Sequence, residues 1–238
     1  MHRNASVESD SNRSALDQAV AKRVRQVIGQ FVLIIAALVI TSGRPTWVWL
    51  WVYILAGLAV GVLNARVVPR ELAAERGQPG KNVKPWDRRL AGLGGLSSLA
   101  TLLVAGLDQR FGWSTPVNTW VHLLGLACFL LGNLLFTWAM VSNPFFSTAV
   151  RLQWDRGHKV AAGGPYRYVR HPGYVGYVVM TIGGALLLGS LWALAPAALT
   201  AALLLMRTAL EDQTLRQELD GYEAYAQRVR YRLLPGIW

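Results

Sequence analysis

Long apolar runs, separated by polar and arginine-rich segments, dominate this chain. The first run, "VIGQFVLIIAALVITSG" (27–43), is broken by "RPT". The second, "WVWLWVYILAGLAVGVLNA", covers 47–65, and the third, "LAGLGGLSSLATLLVAGL", covers 90–107. The fourth extends over 117–141, with Asn118, His122 and Asn133 embedded in it. Each is close to the ~20 residues a helix needs to cross ~30 Å of hydrocarbon. The last apolar stretch, 173–206, is too long for one helix even when tilted. Gly189 and Ser190 sit near its middle and Pro196 follows, which predicts a tight helical hairpin turning at Gly189 and Ser190.

The pattern therefore predicts an all-α fold: a polytopic transmembrane bundle of about six spans. A polar helix from Arg207 to about Arg228 closes it, with Leu210, Leu215 and Leu219 roughly on one face, as in an amphipathic surface helix. Three regions follow. Residues 1–25 form a polar N-terminal tail, helical from about Ala15; residues 26–142 form a four-helix transmembrane region; residues 143–238 form a core of loop, hairpin and C-terminal helix. The tail is too long and too acidic for a signal-peptide start, and no small-residue cleavage site follows it.

Composition agrees with a membrane protein. Of 238 residues, 53% are hydrophobic and only 16% charged, against about a quarter charged in soluble domains. The net charge of +11 invites a nucleic-acid reading, but its distribution answers to topology instead. With six spans, the two tails and both long loops fall on one side. Of the lysines and arginines only Arg44 and Arg110 fall on the other. That is the positive-inside pattern, with both termini cytosolic, and it places the basic side against anionic membrane lipids. Trp47, Trp49, Trp113 and Trp192 lie near the opposite boundary, where interfacial aromatics belong. Partners are then lipids and a small or lipophilic molecule, with no nucleic acid. Oligomeric state is not legible.

Candidate chemistry gathers on the cytosolic side. In "GPYRYVRHPGYVGYV" (164–178), prolines restrict the backbone at both ends and the side chains between them are aromatic or cationic. Glu211 lies one turn after Arg207, where the last span leaves the membrane, and an acid there calls for a partner or a function. Asn143, Asp155, Arg156 and His158 mark the approach to the stretch. His158 and His171 lack the cysteine or carboxylate spacing of a zinc site, so no metal is expected. Cys128 reads as a small buried hydrophobe and His122 as a bundle histidine. Nucleotide, protease and hydrolase motifs are absent.

The order R-H-P-x-Y-x-G, E-E-x-x-L, G-x-x-Y-x-x-Y resembles the isoprenylcysteine carboxyl methyltransferase superfamily, whose bacterial members and membrane phospholipid methyltransferases share this layout. Arg170, His171, Pro172, Tyr174 and Gly176 match the first part; Glu211 and Leu215 match the second, with Asp212 in place of its second glutamate; Gly221 and Tyr225 answer the third only loosely, standing four residues apart where it has three. The likeness covers 143–238. It implies a bacterial-type member in the inner membrane that uses S-adenosyl-L-methionine to methylate a lipophilic or small thiol, carboxylate or amine. His158, Gly164, Pro165, Tyr166, His171, Glu211 and Asp212 would line the cofactor pocket. Arg170 would pair with an acid or with the methionine carboxylate, and His171 would serve as general base for a protonated acceptor. Two readings compete: an NADPH-dependent sterol-type membrane reductase, which shares an R-H motif and the ending seen in "VRYRLLPGIW", and a non-catalytic membrane scaffold.

Overall fold

The computed structural model describes residues 2–77 and 82–238, with side chains from residue 13 onward. Met1 and the "QPGK" part of the first polar loop lie outside the described residues. The described chain forms eight α-helices: α1 (His2–Ser42), α2 (Val48–Val67), α3 (Arg70–Gly77), α4 (Pro85–Phe111), α5 (Thr119–Val141), α6 (Pro172–Leu187), α7 (Leu194–Glu218) and α8 (Tyr222–Arg228). Five of them, α1 from Arg13 onward, α2, α4, α5 and α7, are long and apolar enough to cross a membrane. The sixth apolar run is α6, whose 16 residues span about 24 Å at 1.5 Å per residue. The chain is an integral membrane protein built as a helical bundle.

Local chemistry sets the boundaries. Pro85 opens α4 and Gly112, at φ +65°, ends it in the left-handed conformation that glycine adopts without strain. Asn118 caps α5 by accepting from the Trp120 N–H. The hairpin turns where the sequence places it. Gly189 has φ +73°, and a Cβ there would lie 2.5 Å from the His122 ring. Asp108 accepts from the Ser190 hydroxyl at 2.5 Å and from both Ser114 N–H and hydroxyl at 2.6 Å, tying this turn to the loop after α4. His122 donates from Nδ1 to the Leu187 carbonyl at 2.8 Å and stacks on Trp49, a bundle role.

Two boundaries differ from expectation. α1 continues unbroken from the polar tail into the first span, since no glycine or proline interrupts 2–26. α7 likewise runs past Arg207 to Glu218 without a break, so the polar C-terminal helix is the end of the last span. Gly221, at φ +79°, then turns the chain into the 7-residue α8.

Glycines let α5 and α6 touch. A Cβ on Gly132 would lie 2.4 Å from the Met180 nitrogen, and one on Gly176 would lie 2.6 Å from the Gly132 carbonyl. Close backbone approach of this kind substitutes for hydrophobic driving force inside a membrane. A second packed region, around Leu38, Leu50, Ile54, Ala105 and Ala185, joins α1, α2, α4 and α6 at the hairpin end. The polar loop 142–171 and α8 are left at the other end, over the mouths of α4, α6 and α7.

Candidate active site

Ion pairs between distant segments pin the loop. Arg151, 6% exposed, reaches Glu75 of α3 at 2.9 Å and Asp155 at 2.9 Å. Hydrogen bonding to Glu75 holds its guanidinium pKa above the usual range. Asp87, at the start of α4, accepts from the Val150 N–H at 2.8 Å and from Arg207 Nε of α7 at 2.6 Å. Gln153 donates to the Phe145 carbonyl at 2.6 Å, and its N–H donates to His158 Nδ1 at 3.2 Å. Burial, then the charges of Arg151 and Arg156, push His158 down to about 4. At neutral pH the ring is therefore uncharged, and with Nδ1 accepting, the proton sits on Nε2.

A second network centres on Asp212, fully buried on α7. Arg170 grips it with Nε at 2.7 Å and Nη2 at 3.1 Å. Tyr222 donates to it at 2.9 Å, and Arg232 Nε at 2.9 Å. Burial, helped by the Asp212 charge, holds the Tyr222 phenol well above its ordinary pKa, so it remains a donor. The rest of Arg170 is spent on the C-terminal segment: Nη1 donates to the Val229 and Arg230 carbonyls, both at 2.7 Å. The backbone N–H groups of Arg170 and His171 donate to the Tyr231 and Arg232 carbonyls. The chain after α8 is thus strapped onto the start of α6.

Between these networks lies a cavity of about 330 Å³, within the range of small-molecule sites. Its polar end presents His158, Lys159, Tyr166, Glu211, Tyr222 and Tyr225. Its apolar end runs between α4 and α7, past Leu90, Ala91, Gly94, Gly95, Leu203 and Leu204. Where the two meet, Tyr174 donates to Glu211 Oε2 at 2.5 Å, stacks near-parallel on His171, and carries the Arg207 guanidinium over its ring at 5.6 Å.

Of the residues singled out from sequence, His158, Tyr166, Arg170, His171 and Glu211 line this cavity. Gly164, Pro165 and Asp212 lie behind its wall. Gly164, at φ +55°, packs against Ser142 and Trp138. Asp212 has its oxygens filled by Arg170, Tyr222 and Arg232, so the structure gives it the task of holding the wall. His171 Nε2 sits 3.5 Å from both Asp212 and the Tyr222 hydroxyl, at the edge of hydrogen-bond reach. Sequence reasoning missed Asp87, Arg76, Tyr177 and Tyr222, and read Arg207 only as the exit of the span. An acid at the first turn of an apolar helix, as Asp87 is, was the one available signal. Among the described residues no group of three histidine, cysteine or acidic side chains could hold a metal.

Residues 124–217 match the isoprenylcysteine carboxyl methyltransferase (ICMT) family. A probable protein-S-isoprenylcysteine O-methyltransferase from Oryza sativa subsp. indica is 32% identical over 114 residues, which are 46% of this chain and 59% of the rice protein. Protein-S-isoprenylcysteine O-methyltransferase B from Arabidopsis thaliana is 28% identical over 113 residues, 46% of this chain and 57% of its own. Protein-S-isoprenylcysteine O-methyltransferase from Schizosaccharomyces pombe is 40% identical over 68 residues, 28% of each chain. The chain thus spans little more than half the length of the plant relatives it matches.

Proposed function

We propose that this protein is an integral membrane methyltransferase that uses S-adenosyl-L-methionine to methylate a lipophilic acceptor, of the isoprenylcysteine carboxyl type. The observation that carries this reading is one cavity joining the "RHPGY" start of α6 to Glu211 of α7, both within the segment with family likeness, and to Tyr222 and Tyr225 of α8 beyond it. The arginine-rich loops orient the cavity and both termini toward the cytosol.

The residues suit a zwitterionic sulfonium compound. The Glu211 carboxylate offers an anion for an ammonium or ribose hydroxyls, Lys159 a cation for a carboxylate, and Tyr166 and Tyr222 offer ring faces for a sulfonium or a purine. When bound, the cofactor supplies an electrophilic methyl carbon whose electron pair leaves with sulfur, so no protein nucleophile is needed. Tyr174 fixes the Glu211 carboxylate by its hydrogen bond. Arg207, anchored by Asp87 and by the Thr148 carbonyl, holds a positive charge above that pair. Both groups are positioned before a ligand arrives, which is how a site contributes alignment and electrostatics. Arg170 and Asp212 carry the wall, and His171 packs Tyr174 into register. The apolar end, between two membrane helices, gives a lipid tail its place.

Calorimetry with S-adenosylhomocysteine on purified protein tests the reading. Binding is expected in wild type and lost in Glu211→Ala and His171→Ala. Methyl-label transfer from labelled S-adenosylmethionine into a membrane extract should depend on the same residues. NADPH binding without affinity for S-adenosylhomocysteine would reverse the assignment.

A further inference from the structure

Most cations of the cavity are neutralised by the protein itself. Asp212 answers Arg170, Asp87 answers Arg207, and Glu75 with Asp155 answers Arg151. Arg76, at the end of α3, lines the same cavity and has no acid or hydrogen-bond acceptor among the described residues. Its guanidinium lies against two aromatic rings, 5.3 Å from the centroid of Phe146 and 5.6 Å from that of Phe136. Glu75, its neighbour in sequence, is committed to Arg151. The charge nearest to Arg76 in effect is another cation, Arg23 of α1; burial, then that repulsion, push the Arg76 pKa down to about 10. At neutral pH it still carries its charge. A half-buried cation facing a second cation costs stability, and a docking anion offsets that cost.

Arg76 sits at a definite point along the cavity. Phe136 lies between it and Tyr177, at 6.3 Å centroid to centroid, and the Tyr177 hydroxyl meets Ser98 of α4 at 3.1 Å. This row of side chains crosses from α3 to α4 at the border of the apolar end. The polar end has its own cation in Lys159. Arg76 lies outside residues 124–217, so family likeness does not assign it.

We propose that Arg76 is a specificity-determining residue that receives a carboxylate on the lipophilic methyl acceptor. The proposal rests on the methyltransferase reading above and assigns the residue that would hold the acceptor's carboxyl group. A guanidinium fork matches the two oxygens of a carboxylate. An amine acceptor would meet Arg76 and Arg23 as like charges. Methylating a carboxylate yields a neutral ester, so Arg76 holds the acceptor and loses its grip on the product.

The test uses two probes with the same tail, N-acetyl-S-farnesylcysteine and its uncharged carboxamide, with binding to protein in nanodiscs measured without turnover. Wild type should prefer the acid by about ten- to a hundredfold, the range set by charge-assisted hydrogen bonds. Arg76→Gln should abolish the preference, and Arg76→Lys should restore part of it. Affinity for S-adenosylhomocysteine should stay unchanged in both variants, which also certifies their fold. In turnover, Arg76→Gln should raise KM for the acid far more than it lowers kcat. A full preference for the acid in Arg76→Gln overturns the proposal. So does a loss of S-adenosylhomocysteine affinity with the preference intact, which would assign Arg76 to the cofactor. Wild-type protein that binds no S-adenosylhomocysteine would sink the methyltransferase reading and this inference with it.

Discussion

Substituting Asp212 by asparagine keeps its shape and removes its charge. Three arginines converge on this carboxylate, but they do not weigh equally. The side chains of Arg216 and Arg232 are 35% and 30% exposed, and water screens what they lose. Arg170 is 3% exposed at the side chain, with Asp212 at 0%. Breaking a buried pair by removing one partner leaves an uncompensated charge and costs about 3–5 kcal/mol. The two carbonyls that accept from Arg170 Nη1 remain and soften the loss, so we expect about 3 kcal/mol for Asp212→Asn. Arg170→Gln alone should cost a similar amount. The double variant removes both charges, so its cost should fall short of the sum by about 2 kcal/mol. Reversible unfolding in detergent gives all three numbers, with S-adenosylhomocysteine affinity as the second readout. Because Arg170 holds the 229–232 strap and Tyr222 shares the carboxylate, affinity should drop in both single variants. Strict additivity in the cycle would refute the view that the pair is one unit, and a stable Asp212→Asn with full affinity would refute its role in the wall.

Three further outcomes are expected. His158 binds its proton at about 4 in the folded protein against 6.5 in the unfolded chain; the unfolded state therefore takes up more protons between those values, so stability falls as pH drops from 6.5 toward 4, and the melting difference between pH 7 and pH 5 should shrink in His158→Gln. Gly132→Ala forces a methyl to within 2.4 Å of the Met180 backbone and should cost about 1–3 kcal/mol, whereas Gly92→Ala, with nothing within 4 Å of the added carbon, should be neutral or mildly stabilising in the same melting assay. Tyr174→Phe removes the hydroxyl that orients Glu211 and should lower methyl transfer about tenfold, in line with one lost charge-assisted hydrogen bond, while the melting temperature changes little.

Hydropathy made the bundle legible because a membrane span needs a long apolar run and little else. The run length also exposed the hairpin, since no single helix absorbs 173–206, and the glycine that turns it stands in the middle. The polar ends were less legible for the same physical reason: their partners are set by which helices stand side by side. Asp87 and Arg207 are 120 residues apart, and Arg76 meets Phe136 only because α3, packed on α1, brings its side chain within reach of α5. Asp212 shows the limit most plainly. As the residue after Glu211 it reads as a second acid for a cofactor, yet consecutive residues of a helix point about 100° apart. Glu211 therefore turns to the cavity while Asp212 turns to Arg170. One motif thus carries two kinds of group: Glu211 is oriented at the cavity by Tyr174, and Asp212 is gripped by Arg170 behind it.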